Sequence, residues 1–151
     1  MVDIKQLSPG EEAGIIPLIR ESFDAHISEN YSALGIIEFY KYITLKAIQE
    51  RLNSNHVIFV AHSGNNLVGI VELRDNNHIA LLFVKNEAKG TGVGKALFGY
   101  VLEKLAKEGV RQLTVNSSPN SVSFYKSQGF LPLAEEEEVQ GIRSVRMQLS
   151  L

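Results

Sequence analysis

Glycines stand at alternate positions in the segment Lys89-Gly90-Thr91-Gly92-Val93-Gly94, and helix-forming residues follow it directly. The N-terminus of a helix leaves backbone N–H groups unpaired and carries partial positive charge, so it attracts anions. Glycines let the backbone approach a phosphate closely, and Lys89 and Lys95 add formal positive charge. The segment therefore predicts a binding site for a phosphate or a pyrophosphate.

Two familiar phosphate-binding loops do not fit this segment. A Walker A loop needs a glycine where Lys89 stands, and it needs Ser or Thr where Ala96 stands. A dinucleotide-binding loop needs Gly-x-Gly-x-x-Gly at the start of a βαβ unit, whereas this segment reads Gly-x-Gly-x-Gly and follows a predicted antiparallel hairpin.

A third pattern, Gln/Arg-x-x-Gly-x-Gly/Ala, fits Lys89 to Gly94 except at its first position, where Lys89 keeps a charge but lacks the planar side chain. Here the chain resembles the GNAT superfamily of acetyl-CoA-dependent N-acetyltransferases. The segment LLFVKNEAKGTGVGKALF is similar to the strand, loop and helix that carry the family's signature. The segment VNSSPNSVSFYKSQGF is similar to a later family segment, in which a strand, a short helix and a Tyr precede Gly-Phe.

The resemblance implies where acetyl-CoA, the expected co-substrate, is bound. The strand before the loop would splay from its parallel neighbour, and the pantetheine arm would pair with the backbone of Leu82, Phe83 and Val84. One N–H there would serve the oxyanion, while the side chains of this strand belong to the core. The pyrophosphate would lie on the loop, which comprises Lys89, Gly90, Thr91, Gly92, Val93, Gly94 and Lys95. Ser118 stands where many members have asparagine, and its hydroxyl either caps the following helix or contacts the cofactor, as Asn116 also could.

Acetyl transfer to an amine needs an unprotonated nucleophile and a proton for the departing thiolate. Tyr125 matches the family's general acid, and the alternative is that Tyr125 is a core aromatic residue beside Phe124. For the general base, Glu72 and His78 are the polar residues near the expected end of the central hairpin. The alternative for both is a surface or turn position. The run AEEEEV either faces a cationic amine or forms a solvated hairpin edge.

Composition excludes several other kinds of chemistry. The chain has no cysteine, which rules out disulfides and a cysteinyl acetyl intermediate, so direct attack by the amine is the simplest route. Its four histidines, at 26, 56, 62 and 78, form no close i, i+4 pair, and no metal site is expected. A net charge of −2 predicts no bulk attraction to nucleic acid or to an anionic membrane. Because neither a secretory leader nor a membrane span is apparent, we expect a cytoplasmic protein.

The order of elements supports a mixed α/β (α+β) fold. Ser8-Pro9-Gly10-Glu11 predicts a helix start with a capping box, and a second helix is expected from about Ser32 to Leu52. Three antiparallel strands, a long helix, a strand, a short helix and a final hairpin follow. The long helix is a right-handed crossover, so the strands that it joins should lie parallel in an otherwise antiparallel sheet. We expect one GNAT-like domain over residues 1–151, with helices flanking the sheet in the order β-α-α-β-β-β-α-β-α-β-β.

Three functional hypotheses follow. The leading one is an N-acetyltransferase that acts on a primary amine of a small molecule or a protein. The second is a non-catalytic module that binds or senses acyl-CoA on the same fold. The third, a nucleotide-phosphate hydrolase, is disfavoured by the failed Walker pattern. The identity of the amine cannot be read from the sequence, and a homodimer is left open.

Overall fold

The computed structural model describes residues 2–151, which form one mixed sheet with helices on both faces. The strands are β1 (Asp3–Gln6), β2 (His56–Ser63), β3 (Asn66–Arg74), β4 (His78–Val84), β5 (Gln112–Ser117), β6 (Leu131–Pro132), β7 (Glu137–Val139) and β8 (Ile142–Ser150). The helices are α1 (Glu12–His26), α2 (Ala33–Tyr42), α3 (Leu45–Leu52), α4 (Val93–Lys107) and α5 (Val122–Ser127). This order confirms the predicted fold class.

The sheet runs β1-β2-β3-β4-β5-β8-β6, with β7 paired to β8 alone. All neighbours are antiparallel except β4 and β5, which α4 connects and which lie parallel as predicted. The parallel pairing comprises only His78 with Thr114 and Ile79 with Val115. After these two pairs, β4 and β5 are no longer paired with each other.

Each face of the sheet has its own core. The apolar stripe of α4 packs on one face, where Leu97, Val101 and Leu105 are fully buried. On the other face, α1 to α3 bury Ile19, Phe23 and Ile48. Burying an aliphatic side chain of this size contributes about 1.5–3 kcal/mol, so both helix layers are held firmly against the sheet.

Two predicted helix boundaries were wrong. The helix expected from Ser32 to Leu52 is two helices, because Thr44 adopts extended backbone and its hydroxyl accepts from the N–H of Ala47, which begins α3. The predicted capping box forms only in half. The Glu11 carboxylate accepts from the N–H of Ser8 at 2.9 Å, but α1 begins at Glu12, after Gly10 has turned the chain at a φ of 94°.

No helix in residues 2–151 combines the length and the apolar character that crossing a bilayer requires.

Candidate active site

The site is built around the point where β4 and β5 separate. A register shift occurs between Glu72 and Leu73 of β3, and it leaves Ala80 of β4 as the extra residue of a bulge. Bulges bend a strand, and β4 leaves β5 directly after this one. A cavity of about 570 Å³ occupies the resulting gap. Its walls include Leu81, Leu82 and Phe83 on one side and Val115, Asn116 and Ser117 on the other.

The edge of β4 that faces the gap carries free backbone groups. Lys85 donates its N–H to Val68 of β3, whereas the carbonyl of Val84 accepts from the Ser22 hydroxyl and so points away from β3. Because peptide groups alternate along a strand, the N–H groups of Leu82 and Val84 face the gap, and that of Phe83 faces β3. Leu82 and Val84 therefore have the orientation predicted for pairing with an extended ligand. Phe83 instead contributes its side chain to the cavity wall.

The glycine loop leads from the end of β4 into α4. Gly90 and Gly92 have φ values of 79° and 90°, which L side chains rarely adopt, and the space beside each is open. Gly92 is the N-cap of α4 and offers no side-chain cap, so the N–H groups of Val93, Gly94 and Lys95 have no acceptor among residues 2–151. Partial burial lowers the pKa of Lys89 at the start of the loop. This is the geometry of an anion site at a helix N-terminus.

Tyr125 lies in α5 on the wall of the same cavity. Its ring packs edge-on against Phe124 and Phe130, with centroids 5.3 Å apart in both pairs. Its hydroxyl has no hydrogen-bond partner within residues 2–151, and burial raises the pKa of the phenol. Tyr125 is therefore a core aromatic residue that also lines the cavity, and its role as general acid stays a prediction.

Ser118 and Asn116 also line the cavity. The Ser118 hydroxyl donates to the Ser121 hydroxyl at 3.0 Å, and the N–H of Ser121 bonds to the backbone carbonyl of Ser118 instead. The predicted side-chain cap is therefore wrong. Asn116 is exposed at the end of β5 and is free to contact a ligand.

His78 lies where β4 and β5 still pair. Its Nδ1 is 2.7 Å from the hydroxyl of Thr114, and that hydroxyl donates its own proton to the carbonyl of Asn77. When the hydroxyl donates in this way it accepts from His78, an arrangement that puts the proton on Nδ1 and leaves a lone pair on Nε2. Burial, with the charges of Arg74 and His56, lowers the pKa of His78 to about 4. The ring lines the cavity as a neutral imidazole.

The wide end of the gap is bridged by the C-terminal end of α1. The Nε2 of His26 lies 2.9 Å from the amide oxygen of Asn86, which follows β4. The carbonyl of His26 accepts from the Asn120 amide, which follows β5, at 2.6 Å. One residue thus ties together the two chain segments that leave the split.

Comparison with known proteins identifies this arrangement. The acetyltransferase (GNAT) domain model matches residues 27–151. The chain belongs to the GNAT acetyltransferase family. This confirms the resemblance that the glycine loop and the Tyr-containing segment indicated, together with the prediction of an N-acetyltransferase. No curated protein matches the chain significantly in sequence.

Solved GNAT structures share the fold at low identity. A GCN5-related N-acetyltransferase from Rhodopseudomonas palustris is 20% identical, with a TM-score of 0.86 over 99% of this chain and 95% of that one. The PaiA N-acetyltransferase from Thermoplasma acidophilum, solved in complex with coenzyme A, is 21% identical, with a TM-score of 0.82 over 100% and 99%. The ribosomal-protein-S18-alanine N-acetyltransferase from Escherichia coli is 15% identical, with a TM-score of 0.73 over 99% and 94%.

Glu72 is the other residue predicted as the general base of this GNAT protein, and its surroundings differ from those of His78. Glu72 is fully buried and does not line the cavity. Its carboxylate accepts from Arg51 at 2.7 and 3.2 Å, and one of its oxygens lies 2.5 Å from Nδ1 of His56. Arg51 also stacks its guanidinium over the Tyr42 ring, 3.6 Å from the centroid. Both carboxylate oxygens are thus engaged by cationic or ring N–H groups of the protein itself.

Sequence reasoning missed Thr114, Arg51 and Arg74. Thr114 contacts Nδ1 of His78 from 36 residues away, and Arg51 holds Glu72 across 21 residues. Neither pair has a local sequence signal, because each depends on how the sheet brings distant elements together. Arg74 lines the cavity beside His78, and only its position just before the turn of the β3–β4 hairpin could have singled it out.

The acidic run AEEEEV lies on the final hairpin. It forms an exposed edge, where Glu136 and Glu137 pair with Arg143 and Arg146, and Glu137 also lines the cavity. Within residues 2–151, no three His, Asp or Glu side chains converge as metal ligands.

Proposed function

We propose that this protein is an acetyl-CoA-dependent N-acetyltransferase that moves the acetyl group to a primary amine of a small molecule or a protein by direct attack. The observation that carries the proposal is the split between β4 and β5. It opens at the end of a glycine-lined helix start and has the Tyr125 hydroxyl and the His78 ring in its wall. The domain would span residues 1–151, and a cytoplasmic location stays a prediction.

Cofactor binding rests on backbone groups of the chain. The N–H groups of Val93, Gly94 and Lys95 would hold the pyrophosphate, with Lys89 supplying charge at the entrance. The free edge of Leu82 and Val84 would pair with the pantetheine arm, and one of its N–H groups would donate to the oxyanion. Acetyl-CoA brings the activated thioester, and it is bound and oriented by these groups.

The side chains of His78 and Tyr125 can accept and donate the two protons that the reaction transfers. The lone pair on Nε2 of His78 would accept the proton that the amine loses as its nitrogen bonds to the acetyl carbon. As the C–S bond breaks, Tyr125 would donate its phenolic proton to the thiolate. The raised pKa of Tyr125 keeps the phenol protonated until a strong base forms beside it. The lowered pKa of His78 keeps Nε2 unprotonated at neutral pH.

Direct transfer is the simplest route in a chain without cysteine, because no thiol of the chain can carry the acetyl group. Both substrates must then be bound before reaction. We expect double-reciprocal initial-rate plots to intersect for acetyl-CoA and amine. Parallel lines with an isolable acetyl-enzyme would contradict direct transfer.

The cofactor site can be tested by introducing an aspartate at one end or the other of α4. Gly92→Asp places a negative charge where the pyrophosphate is expected, and calorimetry should show coenzyme A binding reduced below detection. Gly109→Asp is the matched control, because Gly109 has a similar φ of 77°, open surroundings and a position after the opposite end of α4. Equal affinity of the two folded variants would place the cofactor elsewhere.

The acetyltransferase function is tested by Tyr125→Phe, which removes only the hydroxyl. We expect kcat to fall by about 10²–10⁴-fold, with little change in the Kd of coenzyme A. Tyr100→Phe, on the exposed side of α4, is the control. Binding of coenzyme A without turnover of any amine would instead support a non-catalytic acyl-CoA module.

A further inference from the structure

The end of the cavity beside His78 carries a guanidinium group that has no partner in the described part of the chain. Arg74 closes β3 opposite His78 of β4 in the strand register, so their side chains lie on the same face of the sheet. Arg74 is exposed and lines the cavity. Its side chain makes no salt bridge or hydrogen bond with any of residues 2–151.

The acidic residues next to Arg74 in the chain and in the cavity wall have partners of their own. Glu72, two residues earlier on the same face, is held by Arg51 and His56. Asp75 accepts from the amide of Asn55 at 2.9 Å. Of the two glutamates that line the cavity, Glu38 lies 3.4 Å from Lys41 and Glu137 lies 3.4 Å from Arg146. Arg74 therefore lacks a counter-charge because the carboxylates of these residues are paired with other groups.

The other guanidinium of the cavity shows the contrast. Arg143 also lines the wall, but its Nε pairs with Glu136 at 2.9 Å, and its Nη1 lies 3.5 Å from the amide oxygen of Asn30. Arg74 alone of this pair keeps all its donors, in the planar fork that matches a carboxylate.

The pyrophosphate of the cofactor is too far away to be the anion that Arg74 binds. Val84, at the glycine-loop end of β4, pairs with Gly69, and Arg74 lies five residues further along β3. At the rise of a strand, that separation is about 17 Å. An anion bound by Arg74 would therefore belong to the acceptor and not to the pyrophosphate.

We propose that Arg74 is a carboxylate-binding residue of the acceptor site, and that the acceptor is a free amino acid whose carboxylate lies close to its reactive amine. The carboxylate would bind the guanidinium of Arg74 in bidentate fashion, while the amine lies at Nε2 of His78. The proposal rests on the proposed acetyltransferase function and names the substrate class of that site.

The test compares each amino acid with its own amide. The acceptors are L-phenylalanine, L-leucine and β-alanine, each paired with the corresponding carboxamide, and the readout is kcat/KM from release of the coenzyme A thiol. Amine basicity differs within each pair, so the informative quantity is the change in the acid-to-amide ratio on substitution. We expect Arg74→Gln to lower this ratio by about 10- to 100-fold, as for a lost charged hydrogen-bonded pair. Arg74→Glu should lower it further, because it repels the carboxylate.

Arg146→Gln is the control, because Arg146 is an exposed arginine that pairs with Glu137 and does not line the cavity. It should leave the ratio unchanged. An unchanged ratio in Arg74→Gln, with acetyl transfer intact, would overturn the carboxylate site and leave the acetyltransferase function standing. Failure of the wild-type enzyme to acetylate any of the three amino acids while it acetylates other amines would do the same. Failure to bind coenzyme A in calorimetry would instead overturn the proposed function itself.

Discussion

Glu72 and His78 stand on the same face of adjacent strands, and both are buried, yet their chemical environments are opposite. Both carboxylate oxygens of Glu72 are contacted by Arg51 or His56, inside the protein. His78 has Nδ1 at 2.7 Å from the Thr114 hydroxyl, its ring lines the cavity, and its Nε2 has no hydrogen-bond partner among residues 2–151.

The comparison teaches that burial alone does not mark a base. A buried carboxylate whose two oxygens both accept hydrogen bonds from the protein has little capacity left to take a proton from a substrate. A buried imidazole with one partner is kept neutral and retains a lone pair for chemistry. The number of unsatisfied atoms that face the cavity separates the two residues.

The largest expected effect is on stability, from Glu72→Gln. The change leaves Arg51 buried without its counter-charge, so urea unfolding should show a loss of about 3–5 kcal/mol. Glu50→Gln, in an exposed pair with Lys46 at 4.0 Å, should lose less than about 1 kcal/mol. The kcat of the folded Glu72→Gln enzyme should stay within a few-fold of wild type. A large loss of kcat at unchanged stability would restore Glu72 as the base.

The next effect is on catalysis, from His78→Gln. Removing the Nε2 lone pair should lower kcat/KM by about 10²–10³-fold, while the Kd of coenzyme A stays the same. His62→Gln provides a histidine control at the far end of β2. Equal activity of the His78 and His62 variants would show that His78 is not the general base.

The pH dependence of stability sharpens the comparison further. The folded state keeps His78 neutral down to about pH 4, whereas the unfolded chain takes up this proton near 6.5. Between these values the unfolded state binds more protons, so falling pH destabilises the fold, and the contribution is constant above about 6.5. From pH 7 to 4.5, the free energy of unfolding should fall by about 1–3 kcal/mol more in wild type than in His78→Gln. Parallel curves would show that His78 titrates normally.

The smallest effect concerns the tautomer. Thr114→Val removes the acceptor for Nδ1–H, so a fraction of the rings would carry the proton on Nε2. We expect kcat to fall by about 3- to 10-fold and Thr114→Ser to restore it. A loss that serine does not rescue would indicate that the threonine methyl group matters through packing.

Features that depend on a short sequence segment could be predicted from the sequence, whereas features that depend on contacts between distant residues could not. The glycine loop is a run of six residues, and Tyr125 stands at a fixed distance from Gly129, so both could be placed before the fold was known. The break at Thr44 was missed because the apolar spacing continues across it, and only the extended backbone of Thr44 shows where α3 begins. The partners of Glu72 and His78 were unpredictable in the same sense, because β-pairing decides which distant side chains meet.

The short parallel ladder between β4 and β5 has a mechanical consequence. The two strands form the sides of a triangle whose vertex is the His78–Thr114 pair and whose third side is the tie through His26 to Asn86 and Asn120. Because the strands are connected at both ends of the gap, the width of the gap is fixed as long as these hydrogen bonds persist. Any widening of the gap would displace its wide end, near Val84 and Ser117, more than the His78–Thr114 pair. The ring that we propose as the proton acceptor therefore lies at the point of least movement.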